Sequence, residues 1–242
     1  ISGVNLLRLS SKHLAEYRDR RLLEVQNATW NKDFNFVSVL INTAIFDWGI
    51  YLPNNPCKMI KRSKEPPPRL RVLEDQEYNK LVKSCEEVDL IYLEKAFVFS
   101  IETTMRQGEL LNAMWEHVNF EKRTLFIPDT KTGYLSKDLT SNRTIPLSSL
   151  AIKTLRQLPR HITGRIFPIT RDMLNQKWKL AKKKAKIKDY HWHDNRCTGI
   201  SWAFEKKNLD VSEVMILSGH KSPTILLKRY TKLNPTKIAM KI

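Results

Sequence analysis

The chain has 242 residues, of which 41% are apolar and 28% charged, and Lys and Arg outnumber Asp and Glu by 42 to 25 for a formal net charge of +17. This balance excludes a disordered chain and supports a real hydrophobic core. Such an excess of positive charge argues for a polyanionic partner, with nucleic acid the first choice and an acidic membrane surface or simple solubility the other readings.

The first sixty residues read as helical. Ser10-Ser11 can cap a helix carrying Leu14, Tyr17, Leu22 and Leu23 on one side. A longer helix is predicted over about Thr29 to Trp48, where Phe34, Val37, Leu40, Ile41, Ala44 and Ile45 recur at helical spacing. Two helices make a thin core, and the chain opens on Ile rather than Met, so a fragment with upstream sequence removed is expected. After the turn Pro53-Asn-Asn-Pro56, the basic run Lys58 to Lys64 leads into Glu65-Pro66-Pro67-Pro68-Arg69, which is stiff, extended and unable to be helical. Residues 64–70 are the expected linker. Helices resume at Leu73-Glu74-Asp75, about Ile91 to Glu102, and Arg106 to Ala113.

The convincing strands are confined to Val118 with Phe120, Thr124 to Ile127, and Thr144 to Leu147 after a polar loop. From Ser149 onward helices return. The segment Arg171 to Lys188 holds eight Lys or Arg and one Asp, with Trp178, Leu180 and Ile187 interleaved. It reads equally as a solvated helix with an aliphatic seam and as a face along a phosphate backbone. Arg171, Lys177, Lys179, Lys182 and Lys183 are its candidate phosphate contacts. The longest apolar stretch, Leu90 to Met105, is broken by Glu94, Lys95 and Glu102, so no membrane span is expected. Cys57, Cys85 and Cys197 are odd in number and form no CxxC pair, which argues against a disulfide framework or zinc site and fits a reducing cytoplasm.

Five short motifs can carry chemistry. In Thr104-Met-Arg106-Gln-Gly108-Glu109, Arg106 and Glu109 are three apart, so a carboxylate can orient a guanidinium, as can any surface ion pair. In Asp129-Thr-Lys131-Thr-Gly133, a lysine at a hairpin tip can reach a cleft as a point charge or proton donor, though most such lysines are simply solvated. His193 and Arg196 in His193-Asp-Asn-Arg196 share a helical spacing suited to an anionic oxygen and a proton transfer. Ser218-Gly219-His220-Lys-Ser has a helix-ending glycine before a histidine. Tyr230 follows Lys228-Arg229 near the C-terminus.

In this order the motifs resemble the tyrosine recombinase (phage integrase) family, closest to phage and plasmid integrases and shufflon-type DNA invertases. The resemblance covers about Ser11 to Asn234. Tyr17-Arg-Asp-Arg-Arg-Leu22, Asp47-Trp-Gly49 and Asn55-Pro56 look like the second half of the family's core-binding domain. It implies a mainly helical protein with a small antiparallel sheet (α+β), in which residues 1–63 belong to a core-binding domain and residues 71–242 to a catalytic domain. It also implies site-specific recombination of double-stranded DNA by a homotetramer, in the cytoplasm of a bacterial or phage-infected cell, with no cofactor and no metal. By the same match Tyr230 is the nucleophile, Arg106 and Arg196 clamp the phosphate, and Lys131 protonates the leaving oxygen. His193 is the general acid/base, His220 a phosphate hydrogen-bond donor, and Glu109 holds Arg106. The tail Thr231 to Ile242 is expected to dock on a neighbouring protomer.

Two features depart from the pattern. Tyr230 follows His220 by one residue more than is usual, which would rotate a helix by about 100°. Cys197 stands where many members have a second histidine, and is expected to be structural. Two other readings share the motifs: a type IB topoisomerase-like enzyme that relaxes DNA alone, and a non-catalytic DNA-binding regulator on the same scaffold.

Overall fold

The computed structural model describes residues 3–67, 69–128 and 142–230. By its internal contacts the chain falls into two units, Ile1–Pro68 and Arg69–Ile242.

In the first unit, Ser10 precedes α1 (Ser11–Arg21), and its hydroxyl lies 2.9 Å from His13 Nδ1. Leu14 turns inward against α2 (Asn27–Phe46), which buries Trp30, Phe34, Ile41 and Ala44 along one stripe. Trp30 stacks on Phe34 at 4.9 Å and meets Tyr17 edge-on at 5.5 Å. The expected stripe is shorter than its sequence pattern. Leu23 is 89% exposed because α1 stops at Arg21 and the chain turns, and Leu40 faces outward from α2. Asn55 closes the turn after α2: its amide donates to Ser38 O and Asn42 Oδ1, and its Oδ1 accepts from Cys57 N.

The second unit is built around α4 (Leu93–Thr103). The helices α3 (Asp75–Glu86), α6 (Ser149–Arg156) and α8 (Asp194–Glu205) pack around it, so nearly every α4 residue is buried. This explains the long apolar run at Leu90 to Met105. One of its acids, Glu102, is only 9% exposed and is answered by Lys207 Nζ at 2.8 Å and by the Ser148 hydroxyl. Where α4 crosses α8, Gly199 sits against the backbone, and a methyl group there would lie 2.1 Å from the Ile101 carbonyl oxygen.

Three antiparallel strands lie in the order β1 (Val118–Asn119), β2 (Thr124–Ile127), β3 (Arg143–Pro146), with Leu125 opposite Ile145 and Ile127 opposite Arg143. Beyond α5 (Gln107–Leu111), α7 (Arg171–Lys184), α9 (Val211–Ser218) and α10 (Pro223–Tyr230) complete the described chain. Side-chain oxygens of Ser148, Thr170 and Asp210 cap α6, α7 and α9. A second apolar cluster gathers Cys197, Ile200, Ala203, Val214, Leu217, Leu226 and Tyr230 between α8, α9 and α10. No helix among the described residues is long and apolar enough to cross a membrane.

Candidate active site

Arg106 does not share a helical face with Glu109, as their spacing suggests. It is the residue before α5, in extended backbone, and Glu109 folds back on it. Glu109 Oε2 accepts from Arg106 N at 2.8 Å, and Oε1 accepts from Arg106 Nη1 at 2.9 Å. One carboxylate thus satisfies an orphan helix donor and fixes a guanidinium. A second arginine, Arg143 at the head of β3, binds the same carboxylate bidentately at 3.0 and 2.8 Å. Burial raises the Glu109 pKa, but the hydrogen bonds and charge of Arg143 and the bonds from Arg106 outweigh it, leaving a value of about 2.

Arg196, in the first turn of α8, is 4% exposed. Among the described residues no carboxylate bonds it: Nη1 donates to Thr104 O at 2.7 Å and Nη2 to Ser218 O at 2.6 Å. These carbonyls lie at the C-terminal ends of α4 and α9, where the helix dipole is negative. Thr104 adopts a left-handed conformation, φ 53°, uncommon for a threonine and fully buried here. Burial, followed by repulsion from Arg106, lowers the Arg196 pKa to about 10, with Glu109 and Tyr230 opposing and Arg143 reinforcing the shift. Arg106, Arg143 and Arg196 therefore share one field that a single carboxylate does not neutralise.

Gly219 ends α9 in a left-handed turn, φ 70°, and His220 follows with Nδ1 2.7 Å from the Ser218 hydroxyl. The His220 and Tyr230 rings stand 6.3 Å apart across the longer interval between them. Tyr230 is 6% exposed and its hydroxyl lies 3.7 Å from Cys197 Sγ. His193 is exposed at the start of α8, one turn before the buried Arg196. Its neighbour Asp194 is buried and accepts from His191 N at 2.7 Å and Arg69 Nη2 at 2.9 Å, anchoring the α8 entrance. Lys131 and the tail Thr231 to Ile242 lie outside the described residues.

The five α7 cations do not share one face. At about 100° per residue, Arg171, Lys179 and Lys182 fall to one side of the buried Leu174, Trp178 and Ala181. Lys183 points away from the core. Lys177 falls on the opposite flank with Lys184, which bonds to Glu87. Arg171 runs beside α5, where a methyl group on Gly108 would lie 3.7 Å from its Nη2.

Arg143, Ser218 and the Thr104 carbonyl were not legible as site groups. Arg143 reads as an ordinary strand-end cation, because its partner is 34 residues upstream. Ser218 stood inside a recognised motif, but nothing in its residue type signals that its carbonyl binds Arg196.

Comparisons with known proteins agree with this architecture. A shufflon-specific DNA recombinase of Escherichia coli is 32% identical over 246 residues, covering 98% of this chain and 62% of the relative. The integrase of Salmonella phage P22 is 25% identical over 227 residues, covering 86% and 54%. The chain thus spans less than two thirds of the length of these two curated relatives. Among solved structures, a lambda integrase dimer bound to a COC' core site matches with a TM-score of 0.74 at 19% identity, over 97% of this chain and 68% of that one. A lambda integrase tetramer bound to a Holliday junction matches at 0.75 and 19%, over 96% and 67%. At such identities the likeness speaks for the fold. The sequence model of the phage integrase family matches residues 71–237. The chain belongs to the phage integrase family.

Proposed function

We propose that this chain is the cutting and rejoining part of a site-specific DNA recombinase working through a 3′-phosphotyrosine at Tyr230. In the proposed step the Tyr230 oxygen forms a bond to the scissile phosphorus and the bond to the 5′-oxygen breaks. The phenolic proton passes to His193, and Lys131 protonates the departing 5′-oxygen. Rejoining runs the same exchange backwards, so the phosphoester energy is kept and ATP is not consumed. Arg106 and Arg196 bind the non-bridging oxygens and stabilise the charge that builds up on them. His220, oriented by Ser218, supplies a further hydrogen bond.

The observation that carries this reading is the gathering of Arg106 and Arg143 on one carboxylate with Arg196 close enough to feel their charge, beside Tyr230. Such a pocket is built to take an anion. Its relatives named as DNA recombinase and integrase, and the solved integrase complexes with DNA, support double-stranded DNA as that anion and a multimeric assembly on it. The first unit is read as part of a core-binding domain.

The test is trapping on nicked suicide duplexes without metal or ATP. The expected result is a denaturation-resistant protein–DNA adduct that Tyr230→Phe does not form. Tight, salt-sensitive binding with no adduct, including from a longer chain carrying upstream sequence, would replace the enzyme reading with that of a DNA-binding regulator. Relaxation of supercoiled DNA by unpaired protein would favour topoisomerase-like action.

A further inference from the structure

We infer that Arg143 is a positioning residue of the phosphate clamp: it locks the Glu109 carboxylate that presents the Arg106 guanidinium. The inference rests on the reading of Arg106 as a phosphate ligand. Each Glu109 oxygen accepts one bond from each arginine, Oε1 from Arg106 Nη1 and Arg143 Nη1, Oε2 from Arg106 N and Arg143 Nη2, all at 2.8–3.0 Å. The carboxylate is thereby fixed in plane and in rotation, and the Arg106 side chain with it.

Exposure ranks the three groups. The Arg106 side chain is 38% exposed, that of Arg143 16% and that of Glu109 10%. Arg106 therefore faces what binds, while Arg143 stands behind it. Arg143 is also walled in on its other side. Any side chain at Gly219 would press on it, a methyl group lying 2.7 Å from Nε and 2.8 Å from Cζ. Its Nε is buried with no hydrogen-bond partner among the described residues, so the position is not one of best local satisfaction there. The guanidinium occupies the place from which it can bridge β3, the start of α5 and the Gly219-His220 turn. Two arginines on one carboxylate also leave a positive excess for an incoming anion. Lysine could supply the charge but not the two parallel bonds.

The experiment measures single-turnover adduct formation on a suicide duplex at saturating protein, with folding of each variant checked by circular dichroism. Arg143→Gln is expected to slow adduct formation at saturating protein roughly 10- to 100-fold, the size seen when an orienting partner is lost, a larger loss than any in DNA affinity. Arg143→Lys should recover only part of the rate. In an Arg106→Lys background, Arg143→Gln should add little, because paired groups acting as a unit are not additive. The acid side of the pH–rate profile should also move upward in Arg143→Gln, as Glu109 becomes easier to protonate. An unchanged rate, or a full additional loss in the Arg106→Lys background, overturns the inference alone. A wild-type protein that forms no adduct overturns the reading of Arg106 and the inference together.

Discussion

The Tyr230 hydroxyl rests 3.7 Å from the sulfur of Cys197, the residue that directly follows Arg196 in α8. The tyrosine is thereby tied to the helix that carries a buried guanidinium, inside an apolar cluster with Leu217 and Leu226. Cys197→Ala removes this contact and a buried thiol, at about 1 kcal/mol. The expected outcome is a melting temperature lower by about 2–4 °C and faster nitration of Tyr230 by tetranitromethane, followed by peptide mass spectrometry. Cys197→Ser, which keeps a polar partner, should leave Tyr230 protected.

Glu109 gives the protein an acid-sensitive joint. Its folded pKa of about 2 lies below the ordinary value of 4.5. A depressed carboxylate pKa means that the stabilisation is complete above pH 4.5 and is lost as pH falls toward 2. At neutral pH this amounts to roughly 3 kcal/mol. Denaturant unfolding from pH 7 down to pH 2.5 should show wild type losing more stability than Glu109→Gln, which starts lower and changes less.

Gly199 is required by the α4–α8 crossing. A methyl group 2.1 Å from the Ile101 carbonyl oxygen meets backbone rather than a side chain that could swing away. Gly199→Ala should cost about 3 kcal/mol, as overpacking forces the two helices apart. The drop would be read in urea midpoints at unchanged slope. Cleavage should suffer as well, because the displaced helix carries Arg196.

The α7 cations should not contribute equally to DNA binding. Lys179 and Lys182 fall on the flank toward α5, and Lys177 on the other. If phosphate lies along that flank, Lys179→Gln and Lys182→Gln should each lower the slope of log affinity against log salt by about 0.9, and Lys177→Gln should barely change it. Fluorescence anisotropy over a salt series measures all three.

Much of the fold was legible because its signals are local. The cap at Ser10, the strand run Thr124 to Ile127, and the apolar run in α4 each lie within a few residues of what they control. The motif order also carried Arg106, Glu109, Arg196, His220 and Tyr230 into one neighbourhood. What escaped was contact between remote segments. Nothing near Arg143 announces Glu109, and nothing near Thr104 announces that its carbonyl will hold Arg196 from a left-handed turn. Leu23 misled for the opposite reason: its spacing fits the stripe, but the helix had already ended.

The two carbonyls that hold Arg196 reach it across 92 residues on one side and 22 on the other. The Ser218 half of that grip does not exist in a chain that stops short of α9. Closing such long loops comes late and succeeds all at once, because little rewards the partial arrangement. A nascent chain short of α9 therefore carries a half-made grip, and a folded protein that frays at α9 loses the Ser218 contact. On the proposed function, both carbonyls that orient Arg196 toward phosphate are in place only once α9 has been made and packed.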